Sequence, residues 1–193
     1  RTKIMNKKQT IGLIIFGMIL IAALSRLGPH IYNFTPIAAM ALFGAAWFKN
    51  KWMALFIPLA CLFFSDVLLQ LQYVSGSADY GAFSSITIAV YGAFLLIGVL
   101  GFGLRNRVNF KNVVLTSLAA SVLFFVVTNF AAWLTDYQTY PVKSFATLME
   151  AYALGVPFFR GTLLGDLFFN GVLFGSFELV RRAVPSLKLA VVK

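Results

Sequence analysis

The residues of this sequence most able to do chemistry are ionisable side chains in or beside strongly apolar stretches. Asp66 lies near the end of one such stretch, Arg160 begins another, Asp166 follows six residues later, and Arg26 ends the first. An unpaired charge inside a bilayer costs roughly 2.5–3.5 kcal/mol or more, so each of these residues either has a partner or has a function. They are therefore the first candidates for a binding site.

Neutral polar residues extend this group. Thr162, Asp166 and Asn170 are spaced four residues apart. This spacing places them on one face of a helix and predicts a polar stripe that faces the interior of a helix bundle. The candidate ligand-binding residues are His30, Asn33, Asp66, Tyr80, Asn129, Trp133, Arg160, Asp166 and Asn170.

The same charges could instead hold the outer ends of helices together, with Asp66 and Asp166 paired with Arg160 or Arg26. Asp166 lies about 240° round the helix from Arg160, so the two do not share a face and are expected to have different partners. Asp66 is then the expected partner of Arg160, which leaves Asp166 to line the bundle interior. Stapling alone needs one or two pairs, whereas this group holds two carboxylates, two guanidinium groups, a histidine and several amides. The group as a whole therefore favours a polar cavity.

Other patterns are less specific. Cys61, the single cysteine, lies in an apolar run and is expected to be a packing residue. No metal-ligand spacing, nucleotide-binding loop or nucleophile–base motif occurs, so the chain is expected not to be an enzyme, and uphill transport would need an ion or separate ATPase subunits. Small residues four apart, which allow close helix packing within the chain or against a partner, occur at Ala41/Ala45, Gly161/Gly165 and Gly171/Gly175.

Composition places these residues in a membrane protein. Hydrophobic residues make up 60% of the 193 positions and charged residues only 11%, against about 25% charged residues in soluble domains. The net charge of +10 comes from small basic clusters at the ends of apolar segments. Such clusters are typical of topogenic signals, so no nucleic-acid partner is expected.

Six apolar segments must position the candidate residues. They cover approximately residues 10–24, 36–48, 52–71, 85–104, 112–134 and 158–180. The fold prediction is an all-α protein with six transmembrane helices in one domain, residues 10–183. Cytoplasmic tails at 1–9, with an expression remnant before Met5, and at 184–193 flank this domain. A short amphipathic helix is expected around residues 144–154, in the loop before the last span.

The second segment is the doubtful one. Its 13 residues rise only ~20 Å as a helix, against a hydrocarbon core of ~30 Å. With six spans, Arg26, Lys143 and Arg160 are the only three of the 16 Lys and Arg residues outside, whereas five spans leave ten of them outside, against the positive-inside rule. We therefore expect six spans, both termini in the cytoplasm, and a short or tilted second helix that thins the bilayer locally.

A family resemblance enters at Arg26-Leu-Gly-Pro-His30-Ile-Tyr-Asn33-Phe-Thr35-Pro36, Ser65-Asp66, Thr128-Asn129-Phe-Ala-Ala-Trp133 and Pro157-Phe-Phe-Arg160-Gly-Thr-Leu-Leu-Gly165-Asp166. These segments resemble an uncharacterised family of bacterial membrane proteins that is similar to the substrate-binding S components of energy-coupling-factor (ECF) vitamin transporters. The resemblance implies a six-helix subunit that captures a vitamin near its outer face. It also implies docking, through Ala41 and Ala45, on a coupling subunit driven by two ATPases.

The order His30, Asp66, Arg160 is similar to that of the cobalamin-specific type of S component. If cobalamin is the ligand, the resemblance makes His30 a candidate cobalt ligand. In that type, a cysteine just beyond the third span is associated with cobalt ligation and cyanide removal. Residues 75–80, the corresponding segment here, contain no cysteine, so thiol chemistry on a cobalamin is not expected. No other metal and no bound cofactor is expected.

The functional prediction is therefore a substrate-capturing subunit in the bacterial inner membrane. His30, Asp66, Arg160 and Asp166 would supply polar contacts, and apolar walls would come from Trp133, Tyr80 and Phe34. Two alternatives stay open. One is an accessory subunit of a membrane complex, in which the charges only hold the helices together. The other is a proton-coupled carrier in which Asp66 and Asp166 titrate.

Overall fold

The computed structural model of the chain describes residues 7–28, 33–78 and 81–183. His30 and Tyr80 lie outside the described residues. Within them the fold is all-helical and contains no strand. Its six α-helices are α1 (Lys7–Leu24), α2 (Ile37–Trp47), α3 (Lys51–Val74), α4 (Thr87–Gly101), α5 (Phe110–Thr135) and α6 (Phe145–Ala183), and short 3₁₀ turns follow α1 and α4.

Five of these helices, all but α2, are long and apolar enough to cross a bilayer. Large apolar side chains on their outer surfaces are exposed, for example Ile21, Phe56 and Leu164. Such surfaces are stable in lipid and unfavourable in water. The chain is therefore a multi-pass helical membrane protein.

The short helix α2 is the centre of the bundle. Its 11 residues rise only about 16 Å, and residues 38–45 are all buried. It packs against α1, α3, α4, α5 and α6, so the neighbouring helices and not lipid surround it. The expected local thinning of the bilayer around this segment is therefore unnecessary.

Ala41 and Ala45 do not form a docking surface in this structure, contrary to prediction. They are 1% and 0% exposed, and their small side chains let α2 approach other helices of the same chain. A Cβ on Gly101 of α4 would come within 2.7 Å of the Ala45 Cβ. The small-residue spacing is therefore used for packing inside the chain.

Contacts between helices fix their relative directions. Arg26, just after α1, meets Asp66 in α3, and Thr35, just before α2, lies against Gly165 of α6. At the other end of α2, Trp47 packs against Phe177 of α6. Successive helices therefore alternate in direction, and α1 begins at the end of the bundle where α6 finishes. We call this the basic end, and the end that holds Arg26 and Asp66 the carboxylate end.

Helix α6 differs from its prediction. A separate amphipathic helix around residues 144–154 is wrong, because one helix of 39 residues runs through Pro157. Its length is about 58 Å, well beyond the ~30 Å hydrocarbon core. Asp166 therefore lies near the middle of α6 and not two turns from its start.

Candidate ligand-binding site

The polar candidates surround a cavity at the carboxylate end, between α2, α3, α4, α5 and α6. Its volume is about 460 Å³, within the range of pockets that hold small molecules. Loop residues such as Asn33 and Ser84 are exposed at its rim. The cavity is lined by Arg26, Asn33, Thr35, Ile37, Ala38, Asp66, Leu69, Gly81, Ala82, Ser84, Ile86, Thr87, Val90, Tyr91, Phe124, Thr128, Asn129, Ala132, Phe158, Thr162 and Asp166.

A buried ion pair forms one wall of this cavity. Arg26 Nη1 lies 2.6 Å from Asp66 Oδ1 and also donates a hydrogen bond to Ser65 Oγ at 2.6 Å. The hydroxyl of Tyr91 donates to the second carboxylate oxygen, Asp66 Oδ2, at 2.6 Å. Three segments of the chain thereby meet at one carboxylate, which is 3% exposed.

Local structure turns Arg26 inward. The chain leaves α1 in a 3₁₀ turn over Ser25–Leu27, and the Ser25 hydroxyl donates back to the Ala22 carbonyl oxygen at 2.7 Å. Arg26 is consequently only 9% exposed. Its Nε has no hydrogen-bond partner among the described residues. A buried donor without a partner destabilises the folded protein, so a ligand that supplied an acceptor to this Nε would be stabilised there.

Asp166 forms the opposite wall and has different partners. Its carboxylate accepts hydrogen bonds from the Ser121 hydroxyl at 2.7 Å and from the backbone N–H of Ala38. Ala38 lies in the first turn of α2, whose N-cap residue, Pro36, supplies no side-chain cap. Asp166 therefore caps α2 from a different helix, where the positive end of the helix dipole favours a carboxylate.

The predicted polar stripe on α6 is present. Asp166 and Asn170 are 2% and 1% exposed, and Thr162 lines the cavity. Asn170 Nδ2 donates to Ser117 Oγ at 3.0 Å and to the Asp166 carbonyl oxygen at 2.8 Å. Asn170 itself lines a different cavity, nearer the basic end. The stripe therefore extends from one cavity to the other along α6.

The structure brings some of the predicted site residues together. Asn33, Asp66, Asn129 and Asp166 line the carboxylate-end cavity. Asn129 also donates to the Phe125 carbonyl oxygen at 2.8 Å, within its own helix. His30 and Tyr80 lie outside the described residues, so their predicted roles stay predictions.

Arg160 and Trp133 are placed differently from prediction. Arg160 is exposed and forms no ion pair with a described residue. The expected Arg160–Asp66 pair is therefore wrong, because Arg26 occupies that position. Trp133 packs beside the cavity and not in it, with its indole Nε1 donating to Thr147 Oγ1 at 3.0 Å. Phe34 is likewise not a cavity wall, since its ring packs on Phe168 and Phe169 of α6.

Three residues at the cavity or its carboxylates were missing from the predicted site. Tyr91, Thr128 and Ser121 contact either the cavity or its carboxylates. Ser117 and Ser121 are spaced four residues apart in an apolar helix, and this polar pair was a signal for an inward face on α5. Tyr91 is a single amphipathic residue in an apolar run, and its sequence context gives no comparable signal.

The arrangement can bind a small molecule through directional polar contacts and apolar surface. Its polar groups are a guanidinium donor, two carboxylates, a phenol, hydroxyls and the Asn129 amide. Among the described residues, no group of three or more His, Cys, Asp or Glu side chains is placed to hold a metal ion.

Comparison with known proteins gives a family and no further relative. No curated protein matches the chain, and no solved structure matches it. Residues 6–187 match a family described as of unknown function, DUF6580. This match covers nearly the whole bundle, including both walls of the carboxylate-end cavity. The chain therefore belongs to the DUF6580 family.

Proposed function

We propose that this protein captures a small molecule of vitamin size in the carboxylate-end cavity, as a substrate-binding membrane subunit of a micronutrient uptake system. The observation that carries the proposal is the cavity itself, which is lined by two carboxylates and by Arg26, a buried arginine whose Nε has no partner among the described residues. A purely structural cluster would pair these groups and leave no space between them. The resemblance to ECF S components supports the same role.

The volume of the cavity bears on the choice of ligand. About 460 Å³ accommodates a compound of the size of a single-ring or two-ring vitamin. Cobalamin, a corrin with a nucleotide tail, is larger and would extend out of the cavity past Asn33 and Ser84. We therefore rank smaller vitamins first and keep cobalamin as a member of the test panel.

We further propose that the protein lies in a bacterial inner membrane with both termini in the cytoplasm. Six crossings, with α2 as a short and fully surrounded one, put Lys49, Arg105 and Arg181 in the cytoplasm, in accord with the positive-inside rule. The cavity would then open to the outer face. A reporter fused after Lys193 should be cytoplasmic and one inserted at Gly76 external, and an external C-terminus would overturn this orientation.

Energy for uptake would come from separate ECF subunits, namely a coupling protein and ATPases. Because Ala41 and Ala45 are buried, the docking surface for them would have to lie on exposed faces of other helices.

A ligand screen tests the proposed function. A compound that binds only the folded state adds RT ln(1 + [L]/Kd) to stability, about 2.7 kcal/mol at a hundredfold excess over Kd. We expect one compound of a vitamin panel to raise the melting temperature of the purified protein in detergent. If none does, and mass spectrometry finds no co-purifying small molecule, the accessory-subunit alternative replaces this proposal.

A second candidate function, a proton-coupled carrier, is favoured by one observation. Asp166 has no cationic partner among the described residues, whereas Asp66 has Arg26. An uncompensated intramembrane carboxylate is a common feature of proton relays. Uptake by the isolated chain in liposomes, driven by a pH gradient and abolished by Asp166→Asn, would identify the carrier.

A further inference from the structure

A second cavity lies at the basic end, between α5 and α6, and the proposed function does not use it. Its volume is about 520 Å³. Its walls are mainly apolar, with Phe174 and Val113 among them, and its mouth holds Arg181, Arg182 and Trp47. It therefore combines an apolar body with a basic mouth.

Unpaired polar atoms are concentrated in this cavity. Trp47 Nε1, Arg181 Nε and Asn170 Oδ1 are buried and have no hydrogen-bond partner among the described residues, and all three residues line the cavity. Trp47 and Arg181 are adjacent, because the Arg181 guanidinium lies 5.1 Å from the centre of the Trp47 ring. Two neighbouring donors without acceptors indicate a ligand that supplies acceptor oxygens.

The charge at the mouth indicates that this ligand is anionic. Arg181 and Arg182 both pair with one carboxylate, Glu178, each at 3.1 Å. Among the described residues, one positive charge therefore remains without a carboxylate, beside the two unpaired donors. Basic pockets of this kind between membrane helices bind lipid headgroups.

The length of the cavity matches one leaflet of a bilayer. Asn170 and Arg181 are eleven residues apart on α6, or about 16 Å, half of the ~30 Å hydrocarbon core. Gly171 and Gly175 are exposed between them and have open space where a Cβ would stand. The result is a groove along the exposed surface of α6, open at Gly171 and Gly175.

We propose that this groove binds an anionic phospholipid. The phosphate lies at the basic mouth beside Arg181 and Arg182, and one acyl chain lies over Gly171 and Gly175. Trp47 Nε1 and Arg181 Nε are covered in this structure, so the phosphate accepts their hydrogen bonds after displacing the side chains at the mouth. An acyl chain leaves Asn170 Oδ1 at the deep end unpaired, so recognition rests on the mouth. This site is independent of ligand capture at the carboxylate end.

Lipid binding to the purified full chain tests the proposal, measured by native mass spectrometry with dioleoyl phosphatidylglycerol and dioleoyl phosphatidylcholine. We expect a preference for phosphatidylglycerol. Trp47→Phe combined with Arg181→Gln should lower phosphatidylglycerol affinity about fivefold or more. Phosphatidylcholine affinity should fall less, because both lipids carry the phosphate acceptor but only phosphatidylglycerol carries a net negative charge. Gly175→Leu should lower the affinity for both lipids, because it fills the groove.

Controls separate this site from general attraction to a basic surface. Arg107→Gln removes one charge at the same end, from an exposed side chain that does not line the cavity, and should have no effect. If Arg181→Gln prevents folding, Trp47→Phe alone and Gly175→Leu still test the mouth and the groove. Equal binding of the two lipids would overturn the proposal. So would lipid binding that changes neither in the mouth variant nor in Gly175→Leu. If inorganic phosphate bound with the same affinity as phosphatidylglycerol, the proposal would also be overturned, since the site would then recognise a free anion.

Discussion

The two ends of the central helix α2 are held by charges of opposite sign from other parts of the chain. At its N-terminus, the Asp166 carboxylate accepts from the Ala38 N–H. At its C-terminus, the Arg105 guanidinium donates to the carbonyl oxygens of Ala45 at 2.9 Å and Phe48 at 2.8 Å. Each charge complements the helix dipole. A helix of 11 residues is marginal by itself, and these contacts with its packing explain why it forms.

The surroundings of these two charges differ, and the difference distinguishes the proposed ligand contact from a contact that only stabilises the fold. Asp166 is 2% exposed and faces a cavity, whereas Arg105 is half-buried and stacks on the Phe102 ring at 4.5 Å. A buried charge beside empty space can serve a ligand, while a charge that covers carbonyl groups near water mainly stabilises the fold. Mutations at the two ends should therefore have different consequences.

The largest effect is expected at the buried ion pair of the carboxylate end. Arg26→Met leaves the Asp66 carboxylate buried without a cation, which should destabilise the protein by about 3–5 kcal/mol. Adding Asp66→Asn should recover much of this loss, because the pair acts as a unit. Unfolding titrations in detergent micelles measure both. Equal losses in the single and double variants would show that the pair does not carry this energy.

A smaller loss is expected at the N-terminus of α2. Asp166→Leu leaves the Ala38 N–H without its acceptor, while the Ser121 hydroxyl keeps only the Ser117 carbonyl oxygen at 3.0 Å. This loss should cost about 2 kcal/mol. Asp166→Asn keeps one acceptor oxygen and should cost less, while still weakening ligand binding by removal of the charge. The same titrations give stability, and the melting-temperature shift with the screened ligand gives binding. If Asp166→Asn changes neither, Asp166 has no role in the site.

At the C-terminus of α2, Arg105→Met should cost about 1–2 kcal/mol, because the Ala45 and Phe48 carbonyl groups lose a charged donor that water at this end of the bundle replaces only in part. Ligand binding should not change. Arg107→Met, two residues away and exposed, is the matched control and should leave stability unchanged. A loss of ligand binding in Arg105→Met would contradict the separation of the two ends.

The smallest effect concerns the loop between α5 and α6. Backbone N–H groups of Thr139 and Gln138 donate to the Asp136 carboxylate, at 2.9 and 3.0 Å, and hold its pKa below the usual range. A lowered folded-state pKa contributes stability above the unfolded-state pKa, and this contribution is lost as pH falls through the folded value. The stability difference between wild type and Asp136→Ala should therefore disappear in acid. A difference that persists there would exclude the ionised carboxylate as its source.

The sequence predicted the parts of this fold that depend on hydropathy. Apolar runs located all six helices, and helical spacing identified the inward stripe of Asp166 and Asn170. Two features depended on tertiary contacts and were predicted wrongly. Asp66 pairs with Arg26 because a 3₁₀ turn directs Arg26 into the bundle, and α6 continues through Pro157 because its early turns pack on α5, where the Tyr152 hydroxyl reaches the Val126 carbonyl oxygen at 3.1 Å.

The position of α2 was the least predictable feature. Its shortness suggested a segment poorly matched to the bilayer, but length alone does not show that five other helices surround it. The cavity could be predicted only as a group of polar residues on one side. Its actual walls required the distances between α3, α4, α5 and α6.

The central claim, that the carboxylate-end cavity captures a small molecule, is tested most directly by filling it. Thr162 lines the cavity, whereas Leu164, two residues later on the same helix, is 60% exposed to lipid. Thr162→Trp and Leu164→Trp thus place the same large side chain on opposite sides of α6. In melting-temperature shifts with the compound found by screening, Thr162→Trp should abolish the shift and Leu164→Trp should retain it. A full shift in a folded Thr162→Trp protein would contradict the claim.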